Sequence, residues 1–177
     1  IHLKERIEKP YRQNQPLRLH NTSVKLDEKG NTLILSKEFA DYINKVKNIT
    51  FDSGFKKGSN MIDLTGQSPG LLYLIGATSI GTAWNIGGYP GSLYVAKAKF
   101  RKVSCEDIST SWVLYEINGS RNVSTELIQS LGFHFPTDYK LVGSWKFSLG
   151  TSENRIQELY KPIKIESMIK SCKLFRK

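Results

Sequence analysis

The stretch NMIDLTGQSPGLLYLIG, residues 60–76, decides the predicted fold of this chain. Residues 60–64 are a short apolar run bounded by turn-forming residues, which is typical of a buried β-strand. Ser68 and Pro69 then suit the first positions of a helix, and Gly76 suits its end. A strand that leads directly into a helix is the repeating unit of α/β domains, so this stretch indicates the fold class.

Further strands and helices are predicted on both sides of this stretch. Residues 23–35 predict a hairpin, and Ser36 suits the cap of a helix that runs to about residue 51. The remaining predicted elements are strands at 82–86, 111–117, 139–147 and 156–163, a helix that Ser92 caps and that runs to about 103, and a helix from Ser124 to about 132. We therefore expect a three-layer, Rossmann-like α/β domain with a largely parallel sheet and antiparallel edge strands.

Length and composition fit one folded domain. The chain has 177 residues, of which 39% are hydrophobic, which is too apolar for a disordered basic tail. No stretch approaches the ~20 consecutive apolar residues that a membrane span needs. We expect the domain at residues 21–163, between a basic juxtamembrane or linker segment at 1–20 and a basic tail at 164–177.

The net charge of +10 is concentrated at the two ends of the chain. Residues 1–20 and 151–177 hold most of the excess, whereas residues 64–96 contain no aspartate, glutamate, lysine, arginine or histidine. The sequence has no zinc-finger spacing, no aromatic RNA-binding motif and no basic region followed by heptads, so nucleic acid is an unlikely partner. The basic ends are expected to be solvated or to face anionic lipid head groups.

The uncharged window predicts a ligand cleft. Two glycine-rich loops, 63–70 and 87–92, each follow a predicted strand and precede a predicted helix, so they should meet at one edge of the sheet. Such a cleft suits a sugar or phosphate group, although turns also need glycine, serine and proline for backbone reasons alone. The predicted ligand-binding residues are Asp63, Thr65, Gly66, Gln67, Ser68, Gly87, Gly88, Tyr89, Gly91 and Ser92.

Asp63 is the weak candidate for a catalytic residue, because it is expected at the end of a strand. Acid–base catalysis would need a second carboxylate from elsewhere in the fold. The available carboxylates are Glu106, Asp107, Glu116 and Asp138. The alternative is that Asp63 caps backbone N–H groups of its own turn.

Histidines and cysteines suggest neither a metal site nor a cofactor. His2, His20 and His134 are far apart in the sequence and show no metal-binding spacing, so we expect no metal and no cofactor. Cys105 and Cys172 could form a disulfide in an oxidising compartment, or they could be two unrelated thiols.

Three sequence blocks resemble one group of proteins. The blocks are KPYRQ at 9–13, MIDLTGQSPG at 61–70 and WNIGGYPGS at 84–92, and residues 105–106 and 111–114 fit the same pattern. They resemble the C-terminal soluble region of large bacterial multi-pass membrane proteins. Those proteins are similar in organisation to polyprenyl-phosphate-dependent glycosyltransferases. The strongly basic ends of this chain depart from that pattern.

The resemblance implies an extramembrane domain that is preceded by transmembrane helices. Its partner would be the membrane-embedded part of the same polypeptide, and its ligand a sugar or polyprenyl phosphate in cell-envelope glycan assembly. It would be an accessory or recognition module rather than an enzyme by itself. The periplasmic side is favoured over the cytoplasmic side, because long domains cross the membrane largely regardless of their charge. The alternative is a free-standing α/β enzyme that acts on a phosphorylated or glycosyl substrate.

Overall fold

The computed structural model describes residues 3–8, 15–26, 29–146 and 155–176. The KPYRQ block at 9–13, the last residue of the predicted strand 139–147, and parts of the two basic ends lie outside the described residues. Within the described ranges, no helix is long and apolar enough to cross a membrane.

Helices and strands alternate along the chain, as the sequence predicts, and the domain is a mixed α/β structure. The described helices are α1 (Leu3–Glu8), α2 (Lys37–Asp52), α3 (Pro69–Ile75), α4 (Ser92–Phe100), α5 (Cys105–Ser109), α6 (Glu126–Gln129) and α7 (Ile165–Phe175). The described strands are β1 (Thr22–Lys25), β2 (Thr32–Leu35), β3 (Asn60–Asp63), β4 (Thr78–Ser79), β5 (Trp112–Ile117), β6 (Tyr139–Lys146) and β7 (Ile156–Pro162).

Five strands form the main sheet in the order β4-β3-β5-β7-β6. Strand β3 is parallel to β4 and β5, whereas β7 is antiparallel to β5 and β6. The sheet is therefore mixed, and the expectation of a largely parallel sheet holds only for β4, β3 and β5. The expected antiparallel edge beside β4 is wrong, because β1 and β2 pair with each other in a separate two-stranded sheet.

Apolar side chains leave the sheet on both faces and pack under helices. Along β3, Met61 joins a first apolar cluster with residues of α2 and α3, and Ile62 joins a second apolar cluster with residues of α4 to α7. Successive strand residues point to opposite faces, so β5 repeats the pattern with Trp112 in the first cluster and Val113 in the second. Neighbouring residues of β3 and of β5 thus contribute to two different apolar clusters.

The predicted cap of α2 is confirmed, and so are Pro69 at the start of α3 and Gly76 at its end, whereas the Ser68 side chain does not cap α3. The Ser36 side chain accepts a hydrogen bond from the backbone N–H of Phe39, so it caps α2. Helix α3 begins at Pro69 and ends at Gly76, which has a left-handed φ of 68°. Glycine adopts this conformation without the steric cost that other residues meet.

The predicted strand at 82–86 is wrong, and this segment is irregular. The indole N–H of Trp84 donates a hydrogen bond to the carbonyl oxygen of Gly66 at 2.9 Å, which turns the segment towards the neighbouring loop. The strand of this region is instead β4, at Thr78–Ser79.

Two predicted helices are shorter than expected. Helix α4 ends at Phe100 and has Gly91, with φ 84°, at its N-cap, so Ser92 is its first helical residue rather than its cap. Helix α6 covers only Glu126–Gln129 of the predicted 124–132.

The segment expected as a basic tail contains helix α7, which packs against the domain. Met168 and Cys172 of this helix are buried in the second apolar cluster. Cys172 forms a disulfide with Cys105 at the start of α5, so the structure shows the first of the two alternatives for the cysteines. The Arg176 guanidinium donates hydrogen bonds to the carbonyl oxygens of Phe100 and Val103, which fixes the end of α7 to the end of α4.

Removal of the disulfide by Cys172→Ser should lower the free energy of unfolding. The two cysteines are 67 residues apart, and crosslinking a loop of this size is worth ~4 kcal/mol of stability. Urea unfolding without reductant measures the loss. The double variant Cys105→Ser/Cys172→Ser is the control, and we expect it to match the single variant. A single variant within about 1 kcal/mol of the wild type would contradict a structural role for the disulfide.

Candidate functional site

Three buried polar side chains point from the sheet towards α2 and α3. Asp63, Glu116 and Gln157 lie on β3, β5 and β7, and each is two positions from a residue of the first apolar cluster. A spacing of two places a side chain on the same face of a strand, so all three point into that cluster. Glu116 and Gln157 are fully buried and Asp63 is 3% exposed. Buried polar groups of this kind need hydrogen-bond partners.

Gln157 uses the full hydrogen-bonding capacity of its side-chain amide. Its Oε1 accepts from the hydroxyl of Tyr42 at 2.8 Å and from the indole N–H of Trp145 at 3.0 Å. Its Nε2 donates to Oγ of Ser68 and to Oε2 of Glu116, both at 3.0 Å. A carboxamide has two donors and two acceptor sites, so these four contacts fix its orientation. Gln157 therefore joins the sheet to α2 and to the loop before α3.

Asp63 caps the loop that follows β3. Its Oδ1 accepts from the backbone N–H of Thr65 at 2.8 Å and from the Thr65 hydroxyl at 2.7 Å. The hydroxyl oxygens of Thr65 and Ser68 are 2.9 Å apart. Because Thr65 has one hydroxyl proton and gives it to Asp63, Ser68 must be the donor between the two hydroxyls. A chain of donors thus leads from Gln157 through Ser68 and Thr65 to the Asp63 carboxylate.

Burial changes the acidity of Asp63. Desolvation raises the pKa of this carboxyl from its ordinary value of 3.8 to about 6, and the nearby charge of Glu116 acts in the same direction. Hydrogen bonds from Thr65 and Ser68 oppose the rise, because they stabilise the charged form. Asp63 therefore changes its protonation state in mildly acidic conditions.

Glu116 is held by a buried arginine. Arg155 Nε donates to Oε1 of Glu116 at 2.5 Å, and Arg155 Nη2 forms an ion pair with the same oxygen. Gln67 Nε2 donates to Oε1 at 3.3 Å from the loop before α3. The positive charge of the arginine compensates the negative charge of the buried carboxylate. Either charge alone in the interior would lower the stability of the fold.

The two glycine-rich loops both pack against one further loop of the chain. Besides the Trp84–Gly66 hydrogen bond, Gly66, Gly87 and Gly88 all press against the backbone of residues 120–122 in the loop after β5. A Cβ at any of these three glycines would overlap a backbone carbonyl oxygen of that loop. The space that we expected a ligand to enter is therefore filled by the chain itself.

The N–H groups expected to bind a phosphate are also used within the protein. Thr65 N–H donates to Asp63, Gln67 N–H donates to the Thr65 hydroxyl at 3.1 Å, and Gly87 N–H donates to the carbonyl of Arg121 at 2.8 Å. The Asp63 carboxylate thus takes the place that an external anion would have at the N–H of Thr65.

The polar network reaches solvent through a cavity of about 400 Å³ between β2, α2 and α3. This α2–α3 cavity has an apolar wall and a polar floor. The floor consists of Tyr42, Gln67 and Ser68. The wall consists of Leu33, Phe39, Ile43, Gly70, Leu71, Tyr73 and Leu74. Of the described residues that line the cavity, none carries a charge.

The structure gathers only part of the predicted site at this cavity. Asp63, Thr65, Gln67 and Ser68 form its floor or lie directly beneath it. Tyr89, Gly91 and Ser92 do not line it, and Tyr89 is half-exposed on the loop before α4.

Of the four carboxylates considered as partners of Asp63, only Glu116 joins its network. Glu106 pairs with Lys173, Asp107 bonds Ser104 and Asn60, and Asp138 bonds the backbone N–H of His134. Among the described residues, no group of three or more histidine, cysteine or acidic side chains could hold a metal ion.

The sequence analysis missed Gln157, Tyr42, Trp145 and Arg155. The alternation of side chains in β7 was the signal for Gln157. Gln157 and Leu159 are two positions apart and therefore lie on the same face of the strand, and Leu159 is an evident core residue. A polar side chain at an inward position of a strand requires partners, and those come from elements distant in the sequence.

Comparison of the chain with protein-family models, with curated protein sequences and with solved structures found no match. The functional assignment therefore rests on the contacts and on the chemistry of the cavity.

Asp63→Asn should change how stability depends on pH. The pKa of Asp63 is higher in the folded chain than in the unfolded chain, so the folded state binds an extra proton between pH 4 and about 6. The contribution of Asp63 to the free energy of unfolding is therefore complete below about pH 4 and is lost as the pH rises through about 6.

Urea unfolding of both proteins at several pH values measures this effect. The difference in unfolding free energy between wild type and Asp63→Asn should vary between pH 4 and about 6 and be constant at higher pH. The exposed Asp52→Asn on α2 is the matched control, and its difference from the wild type should not vary in the same way. An Asp63→Asn difference that is constant with pH would contradict the raised pKa.

Proposed function

We propose that this domain is a recognition module that binds a sugar group in the α2–α3 cavity, as an extramembrane part of a bacterial membrane protein in cell-envelope glycan assembly. We further propose that its mixed α/β structure is a three-layer, Rossmann-like arrangement. The observation that carries the binding proposal is the cavity itself, which has an aromatic wall and an uncharged polar floor.

The two sides of the cavity suit the two sides of a sugar ring. Phe39 and Tyr73 offer aromatic surface to the C–H faces of a pyranose. The Ser68 hydroxyl oxygen, which already accepts from Gln157, has a second lone pair that can accept a hydrogen bond from a sugar hydroxyl group, and the Gln67 amide lines the same cavity. A neutral sugar needs no counter-ion, which agrees with the absence of charged side chains from the described lining.

The same lining argues against the phosphate part of a polyprenyl phosphate as the occupant. A phosphate would need cations or free N–H groups, and the described lining offers no cation. Of the parts of a lipid-linked glycan, the sugar is therefore the one that fits the α2–α3 cavity.

The disulfide supports a periplasmic location. Structural disulfides form and persist in oxidising compartments and are rare in the cytoplasm. The buried Cys105–Cys172 bond joins two helices of the second apolar cluster, so the folded domain depends on it. The transmembrane partner follows from the sequence resemblance alone.

A second candidate function is that of an enzyme on a phosphorylated or glycosyl substrate. The raised pKa of Asp63 favours it, since acid–base residues are commonly tuned in this way. Two contacts weigh against it. The Asp63 carboxylate is engaged by Thr65, and the second carboxylate, Glu116, is bonded to Arg155. Turnover that is lost in Asp63→Asn would favour the enzyme over the binding module.

Binding should depend on Tyr73 and not on an equally exposed tyrosine elsewhere. Tyr73 is 74% exposed at the cavity, and Tyr94 on α4 is 77% exposed on the other side of the sheet. Titration with glucose, galactose, mannose, rhamnose and N-acetylglucosamine, followed by amide NMR shifts, should perturb Gln67, Ser68 and Gly70 with at least one of these sugars.

Tyr73→Ala should weaken that binding about fivefold or more, because it removes the aromatic surface, whereas Tyr94→Ala should leave it unchanged. Both side chains are largely exposed, so thermal unfolding should be unaffected in either variant. Failure of every sugar and disaccharide to shift these amides, or an equal loss in both variants, would contradict the proposal.

A further inference from the structure

Helix α7 ends in two adjacent exposed apolar side chains, of which Phe175 lies beside cations. Leu174 is 70% exposed and Phe175 is 67% exposed. Phe175 lines a hollow of about 520 Å³ together with Lys97 and Arg101 of α4 and with Arg176. These five residues are termed the α4–α7 surface.

The exposure of Leu174 and Phe175 belongs to a fixed part of the fold. The disulfide at Cys172 holds α7 one turn before Phe175. Directly after it, Arg176 donates hydrogen bonds to two carbonyl oxygens at the end of α4. Large apolar side chains that a fixed helix holds in solvent mark an interaction surface.

The charge of this surface is positive and is not compensated locally. Arg176 bonds neutral carbonyl oxygens, and neither Lys97 nor Arg101 forms an ion pair with a described residue. Of the described residues that line the hollow, none is acidic. Lys173, on the same helix, is paired with Glu106 and adds no net charge.

We propose that the α4–α7 surface docks on a bilayer that contains anionic lipids. Leu174 and Phe175 enter the interfacial region, and Lys97, Arg101 and Arg176 meet the lipid phosphate groups. Small apolar groups flanked by long basic side chains bind membranes in this way, because the aliphatic stems lie along the apolar boundary while the charges stay at the head groups.

Docking at this surface also orients the proposed sugar site. The α4–α7 surface belongs to the helices of the second apolar cluster, and the α2–α3 cavity lies beside the first. The cavity therefore opens away from the bilayer and receives a glycan that extends from it. This orientation rests on the proposed function, whereas the docking itself does not.

Vesicle co-sedimentation tests the docking with the full chain. Vesicles of equal parts phosphatidylcholine and phosphatidylglycerol should bind the protein, and vesicles of phosphatidylcholine alone should not. Binding should weaken strongly in about 0.5 M NaCl, because salt screens the attraction to the head groups.

Two double variants separate the two parts of the surface. Lys97→Glu/Arg101→Glu and Leu174→Ser/Phe175→Ser should each weaken binding about tenfold or more. The matched control is Lys45→Glu/Lys56→Glu, which makes the same change of net charge with exposed lysines outside this surface and should bind as the wild type does. Unchanged thermal unfolding of all three variants shows that they remain folded.

A tryptophan at the helix end gives a direct readout of insertion. Relative to the wild type, whose three tryptophans set the reference emission, Phe175→Trp should show an added blue shift with the anionic vesicles and added quenching by brominated lipid. Equal binding to neutral vesicles, equal losses in the surface and control variants, or no added quenching would overturn the proposal. Tighter binding to duplex DNA than to the anionic vesicles at the same salt concentration would also overturn it. Sugar titrations without vesicles test the α2–α3 cavity separately.

Discussion

The buried amide of Gln157 constrains this domain more than any other group. The amide lies inside an apolar cluster, where a single missing hydrogen bond would be costly. It forms all four of its hydrogen bonds, with groups from β5, β6, α2 and the loop before α3. These partners must occupy fixed positions for the amide to be satisfied. The position of α2 over the sheet and the floor of the α2–α3 cavity therefore depend on one side chain of β7.

Local signals predicted the elements, and contacts between distant residues decided their arrangement. Ser36, Pro69 and Gly76 act within their own turns, so the bounds of α2 and α3 followed from the sequence. The position of β7 between β5 and β6 could not follow, because it depends on pairing with strands that are distant in the sequence or run antiparallel to it. The glycines at 66, 87 and 88 were visible in the sequence. The sequence did not show that the loop at 120–122, rather than a ligand, fills the space beside these glycines.

The two faces of the sheet have different surface chemistry. The α2–α3 side carries an uncharged cavity with aromatic surface, above a network that ends in two carboxylates. The α4–α7 side carries exposed apolar residues and cations, held by a disulfide and by Arg176.

The most direct test of the central claim is the free energy of unfolding of Gln157→Leu, measured by urea denaturation at neutral pH. Leucine has a similar volume, so the change removes hydrogen bonds without leaving a large cavity. We predict a loss of about 3 kcal/mol or more, because buried groups on Trp145, Ser68 and Glu116 each lose a partner. The exposed Gln129→Leu on α6 is the reference. A loss in Gln157→Leu of less than about 1 kcal/mol, similar to that of the reference, would contradict the account.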